Sequence, residues 1–237
     1  MRKFIYLLLL PYISFAQTPL FKLSSGVEIP LLTIGINTAV TSAILKQEKP
    51  LVSLLELEQL DAQSINSFDR TATKNYSKNA QKWSDIIATG SLLLPLIVFT
   101  QEGARKEWGE NSLIILETYL LNAGITNITK ELVKRKRPFL YNPNVPMSDK
   151  LHRDATSSFF SGHTSMTATS TMLAANLYNR YDPNNKAIVW SIGATIPLGV
   201  GYLRWKGGKH FWTDILVGYA VGSGISFLVP YLHERAR

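Results

Sequence analysis

A histidine and an aspartate near the end of the chain are spaced so that they could act together. Asp214 follows His210 by four residues. On a helix such residues are neighbours, so the carboxylate could accept the N–H of one imidazole nitrogen and leave the other as a nucleophile or base. An exposed His–Asp pair without a catalytic role, or a pair of metal ligands, would show the same spacing. The pair therefore has to be interpreted together with its surroundings.

Cations that could bind an anion precede this pair. Lys130 and Arg137 are seven residues apart, close to two helical turns, so they share a face if the helix continues. Pro138 disfavours helical geometry at Arg137, so we expect the helix to end there and the arginine to turn toward whatever Lys130 faces. We interpret the basic residues between them as a helix end or a membrane-surface anchor; they are Lys134, Arg135 and Lys136.

The tripeptide Ser161, Gly162 and His163 opens a predicted helix. A helix start presents free backbone N–H groups and the positive end of the helix dipole, which together form an anion site. Gly162 allows close approach of the backbone, and Ser161 can cap the helix or donate its hydroxyl to the anion. His163 can deliver a proton, although a histidine at a helix start is often only a surface residue.

Topology predicts that these groups meet. Arg204 closes one predicted helix and His210 opens the next. If the helices cross a membrane in turn, the ends near Arg137, Ser161 and Arg204 all lie on one face. Three cations, helix-start amides and two histidines can hold a tetrahedral oxyanion but would repel a metal ion, so we predict no metal. His210 is then placed to attack phosphorus, and His163 to protonate the leaving oxygen.

The elements that must position these residues are helices. Apolar segments of helical length and period recur along the chain. Several are shorter than the roughly 20 residues that cross a bilayer, and each carries polar residues. We therefore predict an all-α bundle of about six core helices, either embedded in the membrane or lying against it. The segments are residues 27–45, 86–99, 112–133, 162–178, 187–202 and 211–232.

The chain divides into three expected parts. Residues 1–16 combine a basic start, an apolar run and small residues before Gln17, as in a cleaved signal peptide; an uncleaved anchor is the alternative. Residues 17–83 are expected to hold an apolar helix and an amphipathic connecting segment that caps the bundle. Residues 84–237 are expected to form the catalytic bundle.

Composition limits the classes of function. Hydrophobic residues make up 46% of the chain and charged residues 18%, which favours membrane association, although the mean hydropathy of +0.03 is modest. The absence of cysteine excludes disulfides, thiolate nucleophiles and iron–sulfur clusters. We assign the formal net charge of +8 to a solvated or juxtamembrane face and predict no nucleic-acid partner.

Three motifs, in order, resemble the signature of the type 2 phosphatidic acid phosphatase (PAP2) superfamily, which also includes vanadium haloperoxidases and bacterial non-specific acid phosphatases. The first motif is a lysine followed, after six residues, by Arg-Pro. It corresponds to Lys130 and Arg137-Pro138. Pro-Ser-Gly-His is present with Phe160 in place of proline. The third motif is Ser-Arg, followed after five residues by His and after three more by Asp. It is present with Leu203 in place of serine. The resemblance covers about residues 125–228, and neither departure removes a charged or proton-transferring group.

The resemblance implies a PAP2-like transmembrane bundle and a metal-independent phosphatase that needs no cofactor. His210 would be the nucleophile that forms a phosphohistidine, Asp214 would orient it, and His163 would be the general acid. Substrates would be phosphorylated lipids: phosphatidic acid, phosphatidylglycerol phosphate, undecaprenyl pyrophosphate or lipid A phosphates. Phosphate oxygens would be bound by Lys130, Arg137, Ser161, Gly162 and Arg204.

Two other functions suit the same residues. A vanadate-dependent haloperoxidase would hold vanadate in this cage with His210 as its ligand. A non-catalytic phospholipid-binding envelope protein would keep the cage without turnover.

We expect a cell-envelope location with a periplasm-facing site, as in membrane-bound bacterial relatives, or else a periplasmic protein lying on the membrane. A cleaved signal followed by six spans would instead place the site inside the cell. The loop at residues 141–159 is expected to shape substrate access. We assign no catalytic role to His152, Asp154 or His233.

Overall fold

The computed structural model describes residues 19–234, which are helical and contain no β-strand within that range. Short 3₁₀ turns lie between the helices, at Ala62–Ser64, Thr71–Lys74, Leu94–Thr100, Pro138–Tyr141 and Arg153–Thr156. The α-helices are α1 (Ser25–Glu48), α2 (Leu54–Glu58), α3 (Ser67–Arg70), α4 (Lys78–Ser91), α5 (Glu102–Lys106), α6 (Trp108–Val133), α7 (Met147–Lys150), α8 (Gly162–Tyr181), α9 (Lys186–Lys206) and α10 (Trp212–Leu232).

The long helices run alternately up and down through one bundle. Lys46, near the end of α1, forms an ion pair of 3.2 Å with Asp154, in the loop before α8. Phe21 lies beside Glu234 at the other end of the bundle, where α10 finishes. Helices α1, α6 and α9 therefore end on the face where α4, α8 and α10 begin. We call this face the site face and the other the opposite face.

Four segments are long and apolar enough to cross a membrane: Ser25–Glu48, Lys78–Thr100, Lys186–Lys206 and Trp212–Leu232. Only 17–39% of each apolar stretch is buried inside the protein, so most of its surface faces outward. Large apolar side chains are accordingly exposed on these helices, among them Ile29, Ile188 and Leu216. The prediction of an all-α, transmembrane helical bundle is confirmed.

Helix α8 occupies the centre of the bundle, where α10 packs against it backbone to backbone. A Cβ atom at Gly222 would lie 2.1 Å from the carbonyl oxygen of Ser165, and one at Gly218 would lie 2.6 Å from that of Ser161. Glycine is therefore required at both positions for this approach. The Ser161 amide donates to the Asp214 carbonyl oxygen over 2.9 Å, which fixes the start of α8 against the start of α10.

Two residues to which helical spacing was applied lie outside the helices, and both belong to the site. Helix α6 ends at Val133, and Lys134 terminates it in the left-handed conformation with φ 49°. Arg137 is therefore in extended backbone, so it does not share a helical face with Lys130 as the seven-residue spacing predicted. Helix α10 begins at Trp212, so His210 precedes the helix.

Two other expectations concern the amino-terminal part. Helix α4 begins at Lys78, within the stretch expected to be a connecting segment, because Ser77 caps it by accepting from the Ala80 amide. The expected signal peptide at residues 1–16 lies outside the described residues.

Candidate active site

Two depressions meet at His163 on the site face. The first, which we call the polar cavity, has a volume of about 560 Å³ and is lined by His163 together with Arg137, Arg204 and Lys209. The second, of about 290 Å³, lies between α4, α6 and α8 and reaches Lys130, Gly162 and His163; we call it the α4–α6 groove. The structure thus brings the three sequence motifs to one face, as their order predicted.

His210 is completely buried at the junction of α9 and α10. Its Nδ1 lies 2.8 Å from the carbonyl oxygen of Ser158 and 3.7 Å from the nearer carboxylate oxygen of Asp214. A carbonyl can only accept, so Nδ1 carries the proton in this contact and Nε2 keeps its lone pair. Within residues 19–234, Nε2 has no hydrogen-bond partner.

The electrostatic surroundings keep His210 neutral. Burial lowers its pKa well below the ordinary value, and the positive charges of Arg137, Arg204 and Lys130 lower it further. Those charges act on His210 because the three cations surround the same point. A neutral imidazole with a free Nε2 lone pair is the form that a nucleophile needs.

The hydrogen bonds that connect Asp214 to His210 run through Ser158. The Asp214 carboxylate accepts from the Ser158 hydroxyl over 2.6 Å and from the Phe211 amide over 2.9 Å, and it also contacts Arg135. The predicted i, i+4 contact with His210 is present, but at 3.7 Å it is longer than a hydrogen bond, and His210 lies just before the helix. Asp214 instead fixes Ser158, whose carbonyl oxygen holds the imidazole.

Arg135 is part of the buried support of the site, which corrects its interpretation as a helix end or membrane-surface anchor. Its guanidinium donates to Asp69 over 2.8 Å and to the Thr213 hydroxyl over 2.7 Å, and it also pairs with Asp214. It lies 4.2 Å from the centre of the Phe211 ring, within cation–π range. The arginine therefore bridges two buried carboxylates behind the nucleophile.

Asp69 brings the segment before α4 into the same support. This carboxylate is fully buried and accepts from the Thr213 amide over 3.0 Å and from its hydroxyl over 2.6 Å. Burial raises the pKa of Asp69, but the hydrogen bonds from Thr213, Arg135 and Asn66 outweigh it, so the pKa lies below its ordinary value. The expectation that this stretch only caps the bundle is therefore incomplete.

Asp85 on α4 contacts two of the predicted site residues. One carboxylate oxygen lies 2.9 Å from Nε2 of His163 and 2.9 Å from Nη1 of Arg204. The Ser84 hydroxyl lies 3.2 Å from the same guanidinium nitrogen. Sequence reasoning missed this residue, although an acidic side chain at the edge of an apolar span is a signal that could have found it.

The remaining predicted anion ligands are held close to the cavity. Arg137 donates to the carbonyl oxygens of Asp154, over 2.6 Å, and Lys209, over 3.3 Å. A Cβ at Gly162 would lie 2.9 Å from Nζ of Lys130, so glycine admits the lysine to the helix start. The Ser161 hydroxyl accepts from the Thr164 amide over 3.4 Å, as a helix cap does.

The residues to which the sequence assigned no catalytic role lie in two different parts of the structure. His152 is in the loop that forms part of the cavity wall, and Asp154 pairs with Lys46. His233 is buried on the opposite face, 3.1 Å from Glu117. In the described part of the chain, no group of three or more His, Asp or Glu residues has the arrangement of a metal site.

Comparison with known proteins assigns the family. The family model for the PAP2 superfamily matches residues 111–237, more than half of the chain. The chain belongs to the PAP2 superfamily. It is 28% identical over 200 residues to phosphatidylglycerophosphatase B of Bacillus subtilis (strain 168), covering 79% of this chain and 94% of that protein.

A solved PAP2 structure has the same fold. It is the crystal structure of the first transmembrane PAP2 type phosphatidylglycerolphosphate phosphatase from Bacillus subtilis, with a TM-score of 0.54 and 24% sequence identity. The alignment covers 87% of this chain and 95% of that chain.

The expectation of a PAP2-type phosphatase is confirmed, and the alternative of a non-catalytic binding protein is not supported. The PAP2 match includes all eight residues predicted for the site. Asp69 and Asp85 precede the matched region, so no PAP2 motif pointed to them.

Proposed function

We propose that this PAP2 phosphatase hydrolyses phosphate monoesters or pyrophosphates of membrane lipids, without a metal, through a phosphohistidine on His210. The observation that carries the proposal is the state of His210: Nδ1 is engaged by the Ser158 carbonyl oxygen, while Nε2 has no partner among the described residues. The name of the Bacillus relative makes phosphatidylglycerol phosphate the first substrate to try, followed by phosphatidic acid, undecaprenyl pyrophosphate and lipid A phosphates.

In the proposed first step, Nε2 of His210 attacks phosphorus, an N–P bond forms and the bond from phosphorus to the leaving oxygen breaks. His163 gives its proton to that oxygen, so the lipid leaves as a neutral alcohol or as a lipid monophosphate. Negative charge on the equatorial phosphate oxygens is stabilised by the proposed phosphate ligands, Lys130, Arg137, Ser161, Gly162 and Arg204.

In the second step, water attacks the phosphohistidine and His163 accepts its proton. The N–P bond breaks, phosphate leaves and His210 returns to its neutral form. Asp214 has a positioning role in both steps, because it fixes the Ser158 loop that holds Nδ1.

The lipid part of the substrate is assigned to the α4–α6 groove. Its walls change from Lys130 and His163 at the site face to Ala88, Leu92 and Met166 deeper in the bundle. A polar end followed by apolar walls matches a phosphate head joined to an acyl chain.

The test of the function is phosphate release by purified protein in EDTA, with each of the four lipid classes. We expect metal-independent turnover of at least one lipid and inhibition by vanadate, which adopts the geometry of the phosphorus transition state. Failure to release phosphate from any lipid or soluble phosphate ester contradicts the proposal. Halide oxidation that depends on added vanadate would instead support the haloperoxidase alternative.

Asp85→Asn is expected to slow the protonation of the leaving group. Burial and then the charges of Arg204, Lys130 and Arg137 lower the pKa of His163 to about 2. The Asp85 carboxylate, 2.9 Å from Nε2 of His163, opposes this shift and favours the protonated form. We expect kcat to fall about 10–100-fold for a lipid alkyl phosphate and less than about threefold for p-nitrophenyl phosphate, whose leaving group needs no proton. The two substrates are compared by steady-state kinetics.

Asp149→Asn is the matched control, because Asp149 lines the same cavity but pairs with Tyr76 and Lys78 rather than with His163. It should change the two rates by similar, small factors. Equal losses on both substrates in Asp85→Asn would mean that the carboxylate does not act through His163.

We also propose that the site face lies in the periplasm. Because the long helices alternate, Phe21 and Glu234 lie together on the opposite face, which is on the cytoplasmic side of the membrane under this proposal. If α1 crosses the membrane, a signal peptide cleaved after export would place the start of α1 in the periplasm and the site face in the cytoplasm. A cleaved signal peptide is then incompatible with a periplasmic site. Single cysteines introduced at residues 141–159 of this cysteine-free chain should react with an impermeant reagent in intact cells; protection would contradict the orientation.

A further inference from the structure

Lys209 is a cation that the PAP2 motifs do not include. It lies directly before His210, lines the polar cavity and is half-buried. Its Nζ lies 4.8 Å from the centre of the Phe139 ring. Within residues 19–234 it forms no ion pair, so its charge is directed into the cavity beside Arg137 and Arg204 without a carboxylate of its own.

The carboxylates that line the cavity are already engaged with other cations. Asp85 contacts Arg204, which leaves Lys130, Arg137 and Lys209 as the cations around the phosphate position without a carboxylate partner. The ion pairs are Asp149 with Lys78 at 3.7 Å, Asp154 with Lys46 at 3.2 Å and Asp85 with Arg204 at 2.9 Å.

A single phosphate monoester does not account for all of these charges. It carries a charge of about −1.5 to −2 near neutral pH. Burial lowers the pKa of Lys130 to about 7, but a bound phosphate favours its charged form, so Lys130 and Arg137 together balance that charge. Burial, together with the charges of Arg137 and Arg204, lowers the pKa of Lys209 to about 8, against the opposing effects of Asp149 and Asp85. The charged lysine is thus destabilised where it lies, and a further anion would relieve that cost.

We infer that Lys209 binds a second phosphate of the substrate, next to the phosphate that is removed. The inference rests on the proposed function and narrows it to lipids that carry two phosphates. Two chemistries supply this arrangement: a lipid diphosphate, and a terminal monoester joined through glycerol to a phosphodiester. Phosphatidic acid, with one phosphate, lacks it.

The test compares kcat/KM of wild type and Lys209→Met on a prenyl diphosphate, phosphatidylglycerol phosphate and phosphatidic acid. We expect the loss to be about tenfold or more larger for the two-phosphate lipids than for phosphatidic acid, because a charge-assisted hydrogen bond is removed. A selective loss on the diphosphate alone identifies the adjoining phosphate as the ligand, and a loss on phosphatidylglycerol phosphate alone identifies the phosphodiester. Lys209→Arg should keep most of the preference.

Lys78→Met is the matched control, since it removes a lysine from the same cavity that is already paired with Asp149. It should leave the ratio between the lipids unchanged. Equal losses on all three lipids in Lys209→Met overturn the inference, whereas absence of turnover by wild type contradicts the proposed function instead.

The inference can also be tested by measuring the pH dependence of substrate preference in the wild-type protein, which does not depend on the folding of a variant. The other charged and titratable groups that line the cavity are Arg137, Arg204, Lys78, Asp85, Asp149, Asp154, His152 and His163. Lys209 itself loses its charge as the pH rises through about 8. The preference for two-phosphate lipids over phosphatidic acid should therefore fall between about pH 7 and pH 9. A preference that is constant across this range also overturns the inference.

Discussion

Replacement of His210 by alanine is expected to lower kcat for phosphate release by about four orders of magnitude or more. The variant lacks Nε2, the atom proposed to form the N–P bond, while the surrounding cations can still bind the phosphate. The loss should therefore appear in kcat far more than in KM. Steady-state release of phosphate measures the rate, and rapid quenching with labelled substrate measures the acid-labile phosphoenzyme, which should form in wild type and be absent in the variant.

His152→Ala is the control for this experiment. His152 is an exposed histidine of the loop before α8, with 69% of its side chain accessible, and it forms no bond to the cations that surround His210. Its kcat should stay within about threefold of wild type. A labelled phosphoenzyme in His210→Ala, or turnover within tenfold of wild type, would exclude His210 as the nucleophile.

Replacement of Arg135 by alanine is expected to destabilise the protein by about 3–5 kcal/mol. The substitution leaves the buried carboxylates of Asp69 and Asp214 without their shared counter-ion. Only 24% of the Arg135 side chain is exposed, so water replaces the lost pairing poorly. The free energy of unfolding in detergent, measured by denaturant titration, tests this value. We expect kcat to fall as well, because the Asp214 carboxylate that holds Ser158 loses one of its own partners.

Lys136→Ala separates this role from a general effect of charge. Lys136 is the next residue along, and its amine lies 3.8 Å from a half-exposed Glu56, so its removal should cost less than about 1 kcal/mol. Arg135→Lys keeps the positive charge but lacks the planar guanidinium that donates to both carboxylates. It should therefore retain part of the stability and of kcat that Arg135→Ala loses. Similar losses in Lys136→Ala and Arg135→Ala would contradict the bridging role.

The pH dependence of stability should carry the signature of Asp69. Its pKa is depressed in the folded protein, so its contribution is present above the unfolded pKa and is lost as the pH falls through the folded value. In Arg135→Ala one of the hydrogen bonds that depress this pKa is absent. The loss of stability on acidification should therefore be smaller than in wild type and should be complete at a higher pH.

The sequence was sufficient to predict that the motifs meet. Helices of alternating direction bring the end of one and the start of the next to the same face, and this holds whatever the exact boundaries are. The argument from Lys130 to Arg137 reached the right place for a wrong reason, because the left-handed Lys134 ends the helix before the arginine. Arg137 is positioned by backbone carbonyl oxygens, which no side-chain pattern encodes.

The supporting carboxylates were beyond the reach of sequence patterns for a physical reason. Asp69 and Asp85 are separated by more than 100 residues from the groups that they contact, Thr213 and Arg204. Spacing rules describe neighbours on one helix and carry no information about such distant pairs. Arg135 was predicted to be a helix end or membrane anchor because a basic residue after a helix end is usually solvated. Its buried role becomes visible only from its contact with Asp69, which is distant in sequence.

The missing Cβ atoms at Gly218 and Gly222 have a mechanical consequence for how a lipid reaches the nucleophile. Because the two backbones are in direct contact, α8 and α10 hold His163 and Asp214, at the start of each helix, in a fixed relation to one another. A bulky headgroup in the α4–α6 groove meets α4 as one wall, and α4 presents Trp83 and Ile86 outward. Because Asp85 belongs to α4, any displacement of α4 away from α8 would lengthen the contact between its carboxylate and His163.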